Sequence, residues 1–208
     1  MNGDRDEALA RIHRARSITG SDEARELYAA WAQNYDDDVF GTLQVTGSAR
    51  VAELLALNLA PQENTFILDA GCGTGAVGAL LHGRGYRHID GIDNSAEMLD
   101  VANRKAVYSS LLEADLNEPF TPPRDHYGAV VSAGTFVHGH VGAAGFRALA
   151  QLLRTGGLMV CAIADPVWVR GRFDLLLPEL ELDTLYHYLE AVLPDGAADV
   201  HMLVARRR

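Results

Sequence analysis

The chain has 208 residues, 48% of them hydrophobic and 22% charged, the balance of one soluble globular domain rather than of a disordered or fibrous chain. Eighteen basic against 28 acidic side chains leave a formal net charge of −10, which argues against a nucleic-acid partner because such a surface repels phosphate backbones. No apolar run approaches the roughly 18 residues of a membrane span, and the opening MNGDRDEALARIHRARS lacks the apolar stretch of a secretory signal, so the expectation is a cytoplasmic protein with no membrane partner.

From Asp22 to Val39 the residues Tyr28, Trp31, Tyr35 and Val39 recur at helical spacing, which predicts one amphipathic helix with an aromatic stripe, opened by Ser21 as its cap. A second helix is expected from Gly47 to Leu59, ending before Pro61. Beyond it short β-type runs alternate with helical stretches, the pattern of a parallel sheet covered by helices on both faces. Strands are expected at Thr65–Asp69, Ile89–Asp93, Ser110–Asp115, Gly128–Ser132 and Leu158–Ala164. The helices between them fall at Gly75–His82, Ser95–Arg104 and Gly142–Leu153. Leu180–Ala191 and Val200–Ala205 flank the turn residues Pro194, Asp195 and Gly196 and read as a hairpin. Residues 1–60 form an N-terminal helical cap and residues 61–208 the core of the same domain. Cys72 and Cys161 are too few and too far apart for a disulfide framework.

The segment FILDAGCGTGAVG, Phe66–Gly78, is a strand running into a glycine turn and a helix, and Gly71, Gly73, Gly75 and Gly78 satisfy both GxGxG and GxGxxG. Asp69 decides between ligands. A carboxylate at the strand end would meet a dinucleotide's pyrophosphate as anion against anion, whereas S-adenosylmethionine (SAM) has no phosphate and offers an ammonium. Asp93, ending the next strand, stands where an acid accepts ribose hydroxyls, a contact shared with NAD enzymes. Asp115, ending the third, can accept from the adenine amino group, with Met98 and Leu116 against the ring. Val101 lies four residues before Lys105, so the Tyr-x-x-x-Lys pair of short-chain dehydrogenases is absent.

These motifs, with WAQNYDDDV, HIDGIDNSAEMLDVA, YSSLLEADL, YGAVVSAGTFVHGHV and RTGGLMV, resemble the class I SAM-dependent methyltransferases. Within them the likeness is to the methyltransferase-like family named after the Williams-Beuren syndrome chromosome region. The resemblance implies a Rossmann-like α/β fold with a seven-stranded, mostly parallel sheet of order 3-2-1-4-5-7-6. It also implies that Gly71, Cys72 and Gly73 line the methionine part of SAM, Asp93 and Asn94 the ribose, and Ala114, Asp115 and Leu116 the adenine, with Ser132, Ala133 and Gly134 closing the other side. In enzymes of this type an N-terminal helix lies over the cofactor, which gives Tyr28 and Tyr35 a place against the methionine end.

Methyl transfer is an in-line displacement that needs a base only when the acceptor is protonated. His138 and His140 follow the fourth strand, where the acceptor should lie, and are the catalytic candidates. Arg50, Arg170 and Arg172 are candidates for a carboxylate partner. His-Gly-His supplies only two ligands, so no metal is expected. The chain lacks the Asn/Asp-Pro-Pro-aromatic motif of base-amino methylation, carrying SAGTFVHGH instead, and has no separate substrate domain. The expected activity is therefore methylation of an oxygen or nitrogen of a small molecule, with a non-methylating reaction such as cyclisation, or SAM binding without turnover, as the rivals. Oligomeric state is not legible.

Overall fold

The computed structural model describes residues 2–62, 65–118, 125–193, 196 and 199–208. Seven strands form one sheet in the order β3-β2-β1-β4-β5-β7-β6. They are β1 Phe66–Ala70, β2 His88–Asp93, β3 Ser110–Glu113, β4 Tyr127–Phe136, β5 Leu153–Ala164, β6 Leu182–Ala191 and β7 Asp199–Arg207. The first five run parallel, and β7 enters antiparallel between β5 and β6, which is the expected Rossmann-like order. The hairpin forms as predicted from the flanking runs; of its turn residues, Pro194 and Asp195 lie outside the described residues.

Strand alternation builds two cores. Along β1, β4, β5 and β7, successive side chains point to opposite faces. Ile67, Val131, Val160 and Val204 enter one layer, while Leu68, Val130, Cys161 and Leu203 enter the other. The first layer is covered by α3 (Gly47–Asn58) and α4 (Ala76–Gly83) through Val51, Leu55, Val77 and Leu81. The second is covered by α6 (Ala143–Ala150), α7 (Asp165–Gly171) and α8 (Phe173–Glu179) through Phe146, Trp168, Phe173 and Leu177. Because α3 seals the sheet itself, residue 60 does not divide cap from core. Helix α5 (Ala96–Arg104) packs beside β2 and β3, its first turn capped by Ser95, whose Oγ accepts from the Met98 amide.

The cap departs from expectation. Its first helix, α1 (Asn2–Ser17), was not predicted: the stripe Ala8, Ile12 and Ala15 that buries it is carried mostly by alanine amid charge. The aromatic helix is cut short. Helix α2 (Ser21–Trp31) is capped by Gly20 rather than by Ser21, and it ends in a turn closed by the Asn34 amide on the Trp31 carbonyl, after which Asp37–Thr42 winds as a single π-helical turn. The break is held by Asp38, whose Oδ2 accepts from Trp31 Nε1 at 2.7 Å and from Arg11 at 2.5 Å. Tyr28, Trp31, Tyr35 and Val39 still meet in one cluster, so the stripe survives the loss of the helix that predicted it. Among the described residues no helix is long and apolar enough to cross a membrane.

Candidate functional site

The carboxyl ends of β1 and β4, where the sheet's connections diverge to opposite sides, open a cleft beneath the cap. Its floor is the glycine turn after β1, and the glycines there do different work. Gly73, at φ +54°, has nothing within 4 Å of where a Cβ would sit, so its missing side chain leaves open space. A Cβ on Gly71 (φ +67°) would lie 2.0 Å from Thr135 Oγ1, and Thr135 itself donates to the Ala70 carbonyl at 3.1 Å, locking β1 to β4. A Cβ on Gly75 would lie 2.9 Å from the ring of Tyr108, and one on Gly78 would lie 2.3 Å from its hydroxyl. Those two glycines make room for an aromatic side chain rather than for a ligand, and Gly75 does not line the cleft. Tyr108 was missed in the sequence; the close helix approach that a third glycine permits was the available signal.

Asp69 is corrected in the same way. It is buried beneath the turn and absent from the cleft wall, its Oδ2 accepting from Tyr108 Oη at 2.7 Å and the Gly78 amide at 3.1 Å. Oδ1 is buried with no hydrogen-bond partner among the described residues. Burial, opposed by those two hydrogen bonds and reinforced by Asp93, raises its carboxyl to about 7. A folded-state value above the unfolded one means that the ionised form disfavours the fold: stability from this group is complete below the ordinary carboxylate range and lost as pH rises through about 7. The ligand-free protein is therefore expected to melt at lower temperature at pH 8 than at pH 5.5, with Asp69→Asn flattening that slope; an unchanged slope in the variant overturns the assignment.

Asp93, Asn94, Met98, Ala114, Asp115 and Leu116 line one wall of the cleft. Asp93 also braces the floor, Oδ2 accepting from the Gly73 amide at 2.8 Å and Oδ1 from the Ser95 amide at 3.0 Å, while burial raises its carboxyl above the usual range. Asp115 Oδ1 accepts from the Asn117 amide at 2.8 Å. Cys72 is part of the wall and, pushed up by burial and the nearby carboxylates, remains a thiol. Ala133 and Gly134 line the far side of the cleft, whereas Ser132 does not: it is buried within the sheet, its Oγ donating to the Ala70 carbonyl at 2.7 Å.

Tyr28 and Tyr35 roof the cleft from the cap. Burial holds both phenols protonated, Tyr35 pushed up to about 12 with Asp93 and Asp36 adding to the effect, and Tyr28 higher still. The two histidines separate. His140 lies in the cleft wall; the His138 carbonyl can only accept, so the 2.9 Å contact puts the proton on Nδ1 and leaves Nε2 to accept from Tyr28 Oη at 3.2 Å. With both nitrogens engaged, and burial lowering its pKa, His140 positions Tyr28 instead of taking a proton. His138 Nδ1 contacts the Ile18 carbonyl at 3.3 Å, which by the same logic frees Nε2 as an acceptor. His138 lines a second, larger cavity of about 640 Å³ that shares Tyr28, Tyr35, Phe40, Ser48, Ala133 and Gly134 with the cleft.

The arginine candidates are engaged elsewhere. Arg50 Nε and its guanidinium bond Glu190, Glu53 and Tyr188, and Arg172 pairs with Asp174; Arg170 and Arg172 are exposed away from the cleft. The basic residue that does serve the site is Lys105. Its Nζ pairs with Asp36 Oδ2 at 2.7 Å, and Asp36 Oδ1 accepts from Thr74 Oγ1 at 2.5 Å, so one cap carboxylate is latched both to α5 and to the glycine turn. Within the cleft wall the described residues include acids, amides and hydroxyls but no lysine or arginine. That donor set, with the space over Gly73, suits a ligand bearing hydroxyls and an ammonium and disfavours a phosphate.

A family profile described as a methyltransferase domain matches residues 67–157. Human methyltransferase-like protein 27 is 32% identical over 136 residues, covering 65% of this chain and 56% of that protein. The Arabidopsis thaliana 18S rRNA (guanine-N(7))-methyltransferase RID2 is 41% identical over 78 residues, 36% of this chain and 26% of that protein. The chain thus spans little more than half of one relative and about a quarter of the other. A TehB-like SAM-dependent methyltransferase from Corynebacterium glutamicum shares the fold at TM-score 0.65 and 19% identity, over 87% of this chain and 98% of that one. So does a structure of the complex between the Haloferax volcanii Trm112 methyltransferase activator and a methyltransferase, at TM-score 0.65 and 17% identity, over 87% and 98%.

Two of these similarities overturn the expectation about partners. One relative acts on rRNA and one neighbour is assembled with a protein activator, so the net charge of −10 does not dispose of nucleic-acid or protein partners. Net charge averages over a whole surface, whereas a partner meets one face of it. The sheet order and the phosphate-averse cleft agree with these likenesses: residues 67–157 match a methyltransferase domain, and the fold is the one that SAM-dependent methyltransferases share.

Proposed function

We propose that this chain binds SAM in the cleft and methylates an oxygen or nitrogen of a small molecule held in the adjoining cavity. The observation that carries the reading is that cavity: about 640 Å³, walled by Val39, Phe40, Val45, Ala162 and Val192, and continuous with the cleft through Tyr28, Tyr35 and Gly134. Its volume lies within the roughly 300–1,000 Å³ typical of small-molecule sites. When bound, SAM supplies a methyl group on a sulfonium. On this reading Gly71, Cys72 and Gly73 hold its methionine end, Asp93 and Asn94 its ribose hydroxyls, and Met98, Ala114, Asp115 and Leu116 its adenine, a reading supported by their all lining the cleft.

The acceptor's own needs fall to the cavity. Its walls are mostly apolar, and His138 Nε2, the acceptor nitrogen of the tautomer that the Ile18 contact selects, takes the proton of an acceptor hydroxyl or N–H. Cleft and cavity lie under one cap, so Asp36, Thr74 and Lys105 fasten both at once.

Calorimetry is expected to show binding of SAM and S-adenosylhomocysteine but not of NAD or NADP; tight NAD binding overturns the cofactor assignment. Incubation with SAM and a fractionated metabolite extract, read as release of S-adenosylhomocysteine, tests the reaction. Release that requires an RNA or protein fraction overturns the small-molecule acceptor, and acceptor conversion without S-adenosylhomocysteine points to a non-methylating enzyme.

A further inference from the structure

Behind the acceptor cavity lies a chain of side chains that methyl transfer does not require. Asp165, the first residue of α7, lines the cavity with its side chain half exposed. Its Oδ1 contacts Nε2 of His201 on β7 at 2.9 Å, and His201 Nδ1 lies 2.7 Å from Nε2 of His187 on β6. His201 is more than nine-tenths buried, whereas His187 reaches the surface. Trp168, one turn along α7, lies flat against both imidazoles, with ring centroids 4.2 and 4.5 Å away and planes within 10°.

Hydrogen-bond bookkeeping fixes the direction of this chain. The carboxylate only accepts, so His201 donates from Nε2; its Nδ1 is then an acceptor, and His187 donates to it from Nε2. The chain thus delivers one N–H to Asp165. A carboxylate held by such a bond is fixed in orientation, and its remaining lone pairs face the cavity as partners for a cation. Asp199 adds a second carboxylate to the wall of the same cavity, where Arg16 is the one lysine or arginine among the described lining residues.

We propose that Asp165 anchors the acceptor and that the acceptor carries a protonated amine on an apolar body. This rests on the reading of the cavity as the acceptor site. The positive nitrogen sits against Asp165 while the body fills the apolar space towards Ala162 and Val192. An ammonium has no lone pair, so the anchored nitrogen is not the atom methylated from that position. Asp165 thus selects the acceptor and orients it, and His138 serves another hydroxyl or N–H of the same molecule. His201 is a positioning residue that acts through Asp165.

Three probes of one shape test this on the full chain saturated with S-adenosylhomocysteine: phenethylamine, phenethyl alcohol and phenylacetate, with affinity measured by calorimetry at neutral pH. Phenethylamine is expected to bind about tenfold or more tightly than the alcohol, and phenylacetate more weakly than either. Asp165→Asn should bring amine and alcohol to equal affinity. His201→Phe, which keeps a ring against Trp168, should erase the amine preference and spare the alcohol, while His201→Gln, which keeps an N–H, should restore it. A merely structural role for His201 would lower both probes together. An amine preference that survives Asp165→Asn, or its absence from the unmodified protein, overturns the inference and leaves the acceptor cavity standing. Failure of all three probes to bind overturns both.

Discussion

Replacing His138 with Asn is expected to lower methyl-transfer turnover by about 10²-fold while leaving the affinity for S-adenosylhomocysteine intact. The asparagine amide can still donate to the Ile18 carbonyl that His138 Nδ1 contacts at 3.3 Å, so the loop keeps its tether and loses only the lone pair at Nε2. Raising the pH should restore part of the rate when the acceptor ionises in solution, because hydroxide then removes the proton. His140→Asn should behave differently. That side chain fastens Tyr28 to the loop, and its loss should weaken cofactor binding and turnover together. Single-turnover rates and calorimetry on both variants decide the matter: full turnover in His138→Asn leaves catalysis to proximity alone.

The second large effect separates two glycines that the motif treats alike. Gly71→Ala drives a methyl group into Thr135 at a backbone angle that alanine disfavours, and Thr135 holds β1 to β4. Overpacking and left-handed strain together predict a loss of about 2 to 5 kcal/mol in stability. Gly73→Ala carries a similar backbone angle but meets no atom within 4 Å, so the cost to folding should be only about 1 to 2 kcal/mol. Its methyl group instead fills the space over the turn, and cofactor affinity should fall by about tenfold or more. Thermal unfolding with calorimetry checks the pair. A Gly73→Ala variant that binds S-adenosylhomocysteine normally would show that the open space over the turn is not the cofactor's.

The sheet could be read from the sequence because buried parallel strands are short apolar runs between glycine and helical stretches, as Phe66–Ala70 and Leu158–Ala164 are. Asp93, Asn94, Asp115 and Gly134 could be placed because strand ends in this topology converge on one cleft. Asp69 and Ser132 sit at the same strand ends yet serve the sheet and the turn, a difference of side-chain direction that spacing does not encode. Within the acidic run Asp36–Asp38, Asp36 faces the glycine turn and Asp38 faces Trp31 and Arg11 because the chain reverses there, a divergence that spacing does not encode. His187, His201 and Asp165 come from three elements, and no local pattern brings them together.

The latch at Lys105 has one more consequence. It is the sole lysine of the chain, so apart from the terminal amine it is the only primary amine an acylating reagent can meet. Its Nζ is paired to Asp36 at 2.7 Å and the side chain is only a quarter exposed, so acylation there is expected to be slower than at a free lysine. Acylation at this one position, located by mass spectrometry, therefore reports how firmly the Lys105–Asp36 latch is held. Ligands that fill the cleft should slow the labelling and Asp36→Asn should quicken it, a measure of cap attachment that needs no knowledge of the acceptor.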